Sequence, residues 1–180
     1  MNHFYTGKGD DGSTGWIGKG RLKKYDLRFN TLGSLDETSA SLGLARGLST
    51  NPRVKEILLH IQRDLSGMMG EVAADPEQAE RFRTIHAEQV SWLEQQADVI
   101  TGEVDAPRSF LMSGDTPGGG ALDLTRAVSR RAERFAVELS DQGGLKNPFI
   151  IAYLNRLSSL LFVLELLELK TSGQLPSTAK

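Results

Sequence analysis

The chain has 180 residues, 39% hydrophobic and 24% charged, a composition suited to one globular domain with a sizeable core. Its formal net charge of -2 gives no electrostatic case for nucleic acid, although local basic clusters can still take a small anion. There is no cysteine, which excludes disulfides and thiolate metal sites and fits a reducing compartment such as the cytoplasm.

The opening MNHFYTGKGDD lacks the apolar run of a signal peptide. Within it begins YTGKGDDGSTGW, residues 5–16, rich in glycine, aspartate and hydroxyl side chains. Successive glycines let backbone N–H groups converge on an anion without Cβ interference. Lys8 adds charge, Ser13 and Thr14 add donors, and Asp10 and Asp11 can hold Mg²⁺ through water or bond a ribose hydroxyl. The residue order is not that of a Walker A loop, and no strand precedes it, which excludes the dinucleotide fingerprint. Taken alone, the segment reads as a flexible surface loop. GKGRLKKYDLR, residues 18–28, follows as a basic connector without a clear period.

From Asp26 to Leu48 the pattern becomes helical: Leu32, Leu35, Ser39, Leu42 and Ala45 recur at three- and four-residue steps. Asn51-Pro52, Thr116-Pro117 and Asn147-Pro148 each place a capping side chain before a proline, a helix start signal. Helical spacing follows each, over Val54 to Met69, Leu122 to Leu139 and Ile150 to Leu167. A fifth helix is expected over IHAEQVSWLEQQADVI, residues 85–100; Asp75-Pro76 either starts it early or belongs to a separate turn. LSSLLFVLELLEL is the most apolar run, but it is short and contains Glu165 and Glu168, so it reads as a buried core helix and not a membrane span. The expected fold is all-α: a single domain, residues 1–180, forming an up-and-down five-helix bundle with no strand. The polar tail TSGQLPSTAK, residues 171–180, is expected to be frayed or disordered.

Chemistry-bearing residues cluster in a few places. In TRAVSRRAER, residues 125–134, Arg126, Arg130, Glu133 and Arg134 fall along one side of a helix, with Arg131 on the flank. Such a stripe repels itself unless something negative sits among its arginines; a triphosphate would suit it, and so would ordinary surface salt bridges. Asp36 and Glu37 in GSLDE can pair with arginines or simply face solvent. Asn155 sits among apolar residues in YLNRLSS and needs a partner if buried. Phe110 stands in the longest connection, where core packing is the ordinary role. His3, His60 and His86 form no metal-ligand spacing, and no nucleophile–base arrangement can be defended.

In order, these segments resemble the PduO-type ATP:cob(I)alamin adenosyltransferases, the corrinoid adenosyltransferases, over nearly the whole chain. YTGKGDDGSTGW resembles the family's ATP loop, LGSLDETSASLGLA its acidic helix, RSFLM with Arg126 and SRRAER its arginine block, and NPFIIAYLNRLSSLLFVL its last helix. The resemblance implies a homotrimer with active sites between subunits, a four-helix ferritin-like core plus one helix, and an ATP loop and connector over residues 1–25. By position, Thr6, Gly7, Lys8, Gly9, Asp10, Asp11, Gly12, Ser13, Thr14 and Lys24 would meet the nucleotide, with Arg130, Arg131, Glu133, Arg134 and Asn155. Mg²⁺ would come with ATP, near Glu133 and Asn155, without a protein motif of its own. Asp36 and Arg126 would bridge two subunits, and Phe110 would line the corrinoid site and displace the lower axial ligand. The implied partners are ATP, the corrinoid, a reductase and an acceptor B12-dependent enzyme, with neither nucleic acid nor membrane.

The chain also departs from the family pattern. MSGDTPGGG, with Ser113, replaces L-P-G-G after the phenylalanine; DETSA places Thr38 and Ser39 where leucine and asparagine are usual. Ser159 replaces an aspartate, Ser129 a cysteine, and ELLE, beginning at Glu165, an alanine–arginine. The ATP-side residues match better than the corrinoid-side ones. Two alternatives therefore stand beside an active transferase: a non-catalytic nucleotide- or corrinoid-binding paralogue, and a different nucleotide-dependent transferase.

Overall fold

Five helices form in the computed structural model, which describes residues 5–105 and 109–179. They are α1 (Leu27–Leu48), α2 (Pro52–Ala73), α3 (Ala87–Thr101), α4 (Pro117–Asp141) and α5 (Pro148–Ser172). The caps work as the sequence predicts. The Asp26 side chain accepts from the Arg28 N–H, Asn51 from Arg53 and Val54, Thr116 from Gly119, and Asn147 from Phe149. The segment after Asp75-Pro76 is a separate turn: Ala79–Phe82 form a short 3-10 helix, and α3 starts only after His86.

The expectation of no strand is corrected at the N-terminus. Ser13–Gly15 (β1) pairs antiparallel with Arg21–Lys23 (β2), Thr14 lying opposite Leu22. The chain can reverse between them because Gly20 takes φ 77°, a left-handed conformation that costs glycine little. Strands this short carry no readable alternation, so the basic connector gave no signal.

The tail makes contacts with the connection before α4. α5 runs to Ser172, and beyond it Ser177 donates from its backbone N and its Oγ to the Asp115 carboxylate at 2.7 and 2.8 Å. The Met112 N–H donates to the Ser177 carbonyl at 2.8 Å, and the Ala179 N–H to that of Phe110 at 2.9 Å. These partners lie far apart in sequence, beyond the reach of local composition. Residues 1–4 of the N-terminal segment and residue 180 of the tail lie outside the described residues.

In the bundle, α1 packs between α2 and α4, and α5 packs between α4 and α3. Leu35, Leu42, Leu58, Leu65, Leu122, Leu154 and Leu161 are fully buried at its centre. By length and composition α5 is apolar enough to cross a membrane, yet it is the bundle's core helix, with Glu165 and Glu168 buried along it. Glu168 accepts from the Thr50 hydroxyl at 2.7 Å and so ties α5 to the connection between α1 and α2.

Arg28, in the first turn of α1, ties that helix to the end of α2 and to the connection before α5. Only 5% exposed, it donates to the carbonyls of Ala74 at 2.9 Å and Gly144 at 3.0 Å, and also to that of Val72. Its guanidinium lies 5.2 Å from the centre of the Trp16 ring. Burial lowers the Arg28 pKa from its ordinary value, opposed by Asp26 and Asp75. Arg28→Leu would leave three carbonyls without their donor, at a cost of roughly 2–4 kcal/mol. Urea unfolding should show the midpoint falling at unchanged slope; a wild-type midpoint would remove Arg28 from this role.

Candidate functional site

The glycine loop is ordered by its own side chains. Asp11 accepts from the Ser13 backbone N–H and hydroxyl, each at 2.8 Å, which holds its carboxyl below the usual carboxylate range. Arg21 donates to the Ser13 hydroxyl at 2.7 Å and, from its other nitrogen, to the Lys8 carbonyl at 2.7 Å. Backbone N–H groups of Asp10 and Gly12 close small turns onto Gly7 and Gly9. Lys24 returns from β2 to lie over Gly9, where an added Cβ would sit 3.1 Å from the lysine Nζ. The hairpin thus brings Lys8, Lys24 and the loop glycines into one patch. Thr6, Lys8, Asp10, Asp11, Gly12 and Lys24 are exposed there, Thr14 half-buried and Ser13 buried.

The α4 stripe is fixed from behind. Ala121, Thr125, Ser129, Ala132 and Ala136 are buried on the side facing the bundle, so the arginines point away from it. Their partners differ. Arg126 pairs with Asp123 at 2.6 Å and Arg131 with Glu37. The Glu133 carboxylate accepts from Asn155 at 2.9 Å, and the Asn155 oxygen accepts from Arg156 at 2.7 Å. Asn155 is therefore exposed and satisfied by neighbours, not buried as its apolar surroundings in sequence imply. Arg130 and Arg134 have no carboxylate partner among the described residues; Arg134 donates only to the Arg130 carbonyl, at 3.0 Å. Asp36 is exposed and makes no ion pair among the described residues.

Arg126 and Arg130 border a cavity of about 480 Å³ between α4, α5 and the loop preceding α4. Phe110, 76% exposed, stands at its side, with Phe162 and Val163 of α5 forming an apolar wall. Ser113, Ser158, Ser159, Asp123 and Glu165 complete the polar part. The structure therefore brings Phe110, Arg126 and Arg130 together. Among the described residues, no hydrogen bond or ion pair joins the glycine loop to this stripe within one chain.

Sequence reasoning missed three residues that shape these sites. Arg21 was lost in a basic run, and Asp123 in a helical turn. Glu165 stood out only as a charge in an apolar helix and a departure from the family pattern. It is 1% exposed, and its Oε2 has no hydrogen-bond partner among the described residues. Burial first, then the Asp123 charge, push its pKa from 4.5 up to about 7; Asp115 adds to the rise, while Ser113 and Arg126 oppose it.

The cobalamin adenosyltransferase family model matches residues 4–168. The chain belongs to this family. It is 35% identical over 162 residues to the corrinoid adenosyltransferase PduO of Citrobacter freundii, covering 89% of this chain and 48% of that protein. The chain thus spans about half the length of the PduO relatives. It is 35% identical over 163 residues to the corrinoid adenosyltransferase of Bacillus subtilis, covering 88% of this chain and 82% of that protein. A solved phenylalanine-to-alanine variant of a PduO-type ATP:corrinoid adenosyltransferase from Lactobacillus reuteri, complexed with cobalamin and ATP, superposes with a TM-score of 0.92. The two are 28% identical and cover 99% of each chain. An arginine-to-lysine variant complexed with ATP gives 0.88 at 27% identity, covering 98% of this chain and 100% of the other.

Glu165 gives this member of the family a pH signature. Its pKa is higher folded than unfolded, so the native state holds an extra proton between pH 4.5 and about 7. Stability from this group is fully present below the unfolded value, is lost as pH rises through the folded one, and levels off above it. Compared with Glu165→Gln, the wild type should lose roughly 3–6 °C in Tm between pH 5 and 8. Parallel pH dependences in the two thermal scans would contradict the buried-acid account.

Proposed function

We propose that this chain transfers the 5′-deoxyadenosyl group of ATP to the Co(I) centre of a reduced corrinoid, giving an adenosylcorrinoid and triphosphate. The observation that carries the reading is the cavity joining an exposed phenylalanine and an apolar wall to Arg126 and Arg130. It suits the meeting of a large, largely apolar ring system with a polyphosphate.

The proposed chemistry explains why no catalytic base or nucleophile is evident. The Co(I) electron pair attacks the 5′ carbon, the bond from that carbon to oxygen breaks, and triphosphate leaves with the bonding electrons. The protein aligns the two substrates. Arg130 and Arg134, which lack carboxylate partners among the described residues, and Lys8 and Lys24 of the glycine loop offset the charge growing on the leaving group. Phe110 provides an apolar wedge that displaces the lower ligand of cobalt and so eases reduction to Co(I). Mg²⁺ would accompany the phosphates and add Lewis-acid charge there. Asp10 and Glu133 offer the hard oxygens it prefers, but no three carboxylate or histidine side chains converge among the described residues, so ATP supplies the rest of its shell.

The glycine loop and the arginine stripe lie apart in one chain, so the reading places the loop of one subunit against α4 of the next. Exposed Leu44 and Leu48 on α1 and Leu124 and Val137 on α4 offer apolar surface for that contact. Within a homotrimer, the exposed Asp36 would meet the neighbour's Arg126, in competition with Asp123. A reductase would supply Co(I), and a B12-dependent enzyme would accept the product, in the cytoplasm.

Anaerobic mixing with ATP, Mg²⁺ and chemically reduced cob(I)alamin should give the adenosylcobalamin spectrum. Binding of both substrates without turnover would make the chain a cofactor escort. Arg130→Ala should lower kcat by roughly 10²–10³-fold, the range for loss of one preorganised charge-stabilising donor; wild-type turnover would remove Arg130 from the mechanism. Gly9→Ala should keep the fold, because the close contacts of its Cβ are with the flexible end of Lys24 and the Ser13 carbonyl lies at an ordinary 3.4 Å, and should weaken ATP binding roughly three- to tenfold by displacing that ammonium. Calorimetric titration checks this, and unchanged ATP affinity would exclude Lys24 from the phosphate site.

A further inference from the structure

Glu165 is a buried acid that the proposed mechanism does not use. Its carboxyl borders the cavity, yet its Oε2 is covered and makes no hydrogen bond. A buried polar oxygen left without a partner costs stability unless something else completes it.

The surroundings define what could complete it. From α4 come Asp123 and Arg126, already paired with one another at 2.6 Å, and Gly119, which leaves room over the Glu165 stem. From the preceding loop come Ser113 and Asp115, the latter held by Ser177. Along α5, Glu168 is occupied by Thr50, and on the α3 side Glu94 is tied to Arg156. Arg130 borders the same cavity without a carboxylate partner among the described residues, but the charges that act on Glu165 are those of Asp123 and Asp115, which repel its carboxylate, and of Arg126, which is already paired. The cavity therefore favours the acid form, with one O–H donor and one carbonyl acceptor on neighbouring atoms, beside the hydroxyls of Ser113, Ser158 and Ser159. Polyphosphate is disfavoured beside these acids. A neutral group that can donate or accept a hydrogen bond is the complement, and a primary amide is such a group. Corrinoids carry primary amides around the edge of the ring.

We propose that Glu165 is a specificity-determining residue of this cavity, its carboxyl group hydrogen-bonding a neutral primary amide at the edge of the corrin ring. The inference rests on the reading of the cavity as the corrinoid site. Glutamine keeps both a donor and an acceptor at this position, whereas leucine keeps neither.

The test is an anaerobic absorbance titration of cob(II)alamin into the ATP-loaded protein, for wild type, Glu165→Gln and Glu165→Leu, between pH 6 and 8.5. Wild-type affinity should fall as pH rises through neutrality, and Glu165→Gln should be flat with pH. Glu165→Leu should bind roughly tenfold more weakly at pH 6, the scale of one lost buried hydrogen-bonding partner. ATP affinity, read by calorimetry, should be the same in all three. Cobalamin monocarboxylic acids, each with one ring amide hydrolysed, identify the contact. One of them should bind wild type weakly and be indifferent to Glu165→Leu. Wild-type affinity that is flat with pH, together with a Glu165→Gln variant no different from it and no such monocarboxylate, would overturn the proposal, even if Glu165→Leu does not fold. Failure of wild type to bind cob(II)alamin at all would overturn the corrinoid reading itself.

Discussion

The rotation of α4 about its own axis is the constraint on which the candidate site depends. Its buried row is made mostly of small side chains, Ala121, Thr125, Ser129, Ala132 and Ala136, with Leu122 and Leu139 beside them, and faces the bundle. Small residues let α1 and α5 approach closely, and close packing leaves few ways to turn the helix. Once that row is buried, Arg126, Arg130 and Arg134 must emerge on the other side, because residues four apart share a face. The placement of positive charge thus follows from where apolar bulk is absent.

The N-terminal hairpin obeys a different rule. It has almost no apolar surface to bury, and its shape comes from directed hydrogen bonds: Ser13 to Asp11, Arg21 to Ser13 and Lys8, and, at its base, Ile17 to the Ala73 carbonyl. Such a segment is held at its base and open at its tip. The two charge-bearing regions are built independently, and among the described residues no hydrogen bond or ion pair joins them.

Polar groups near the core helix serve unlike ends. Glu168 is satisfied by Thr50 and fastens one helix connection to α5. Glu165, about one turn earlier, borders the cavity with an oxygen unpartnered. The same residue type in the same helix is a structural tie at one position and an incomplete pair at the other, and only the neighbours distinguish them. The loop bearing Phe110 is likewise held from a distance, by the tail through Ser177 and Ala179.

The helices and their starts were legible in the sequence, because a cap and the proline after it act within a few residues and helical periodicity is a local pattern. So were the candidate arginines and Phe110, because their motifs are contiguous. The hairpin was not, since its strands are too short to show a period; nor was the ordered tail, since its partners lie more than sixty residues away, as with Asp115 and Ser177. Sequence alone could place Glu165 in an apolar helix and mark it as unusual. Only the tertiary structure set it against Asp123 and beside the cavity, because burial and charge proximity are properties of packed neighbours, and those neighbours come from different parts of the chain.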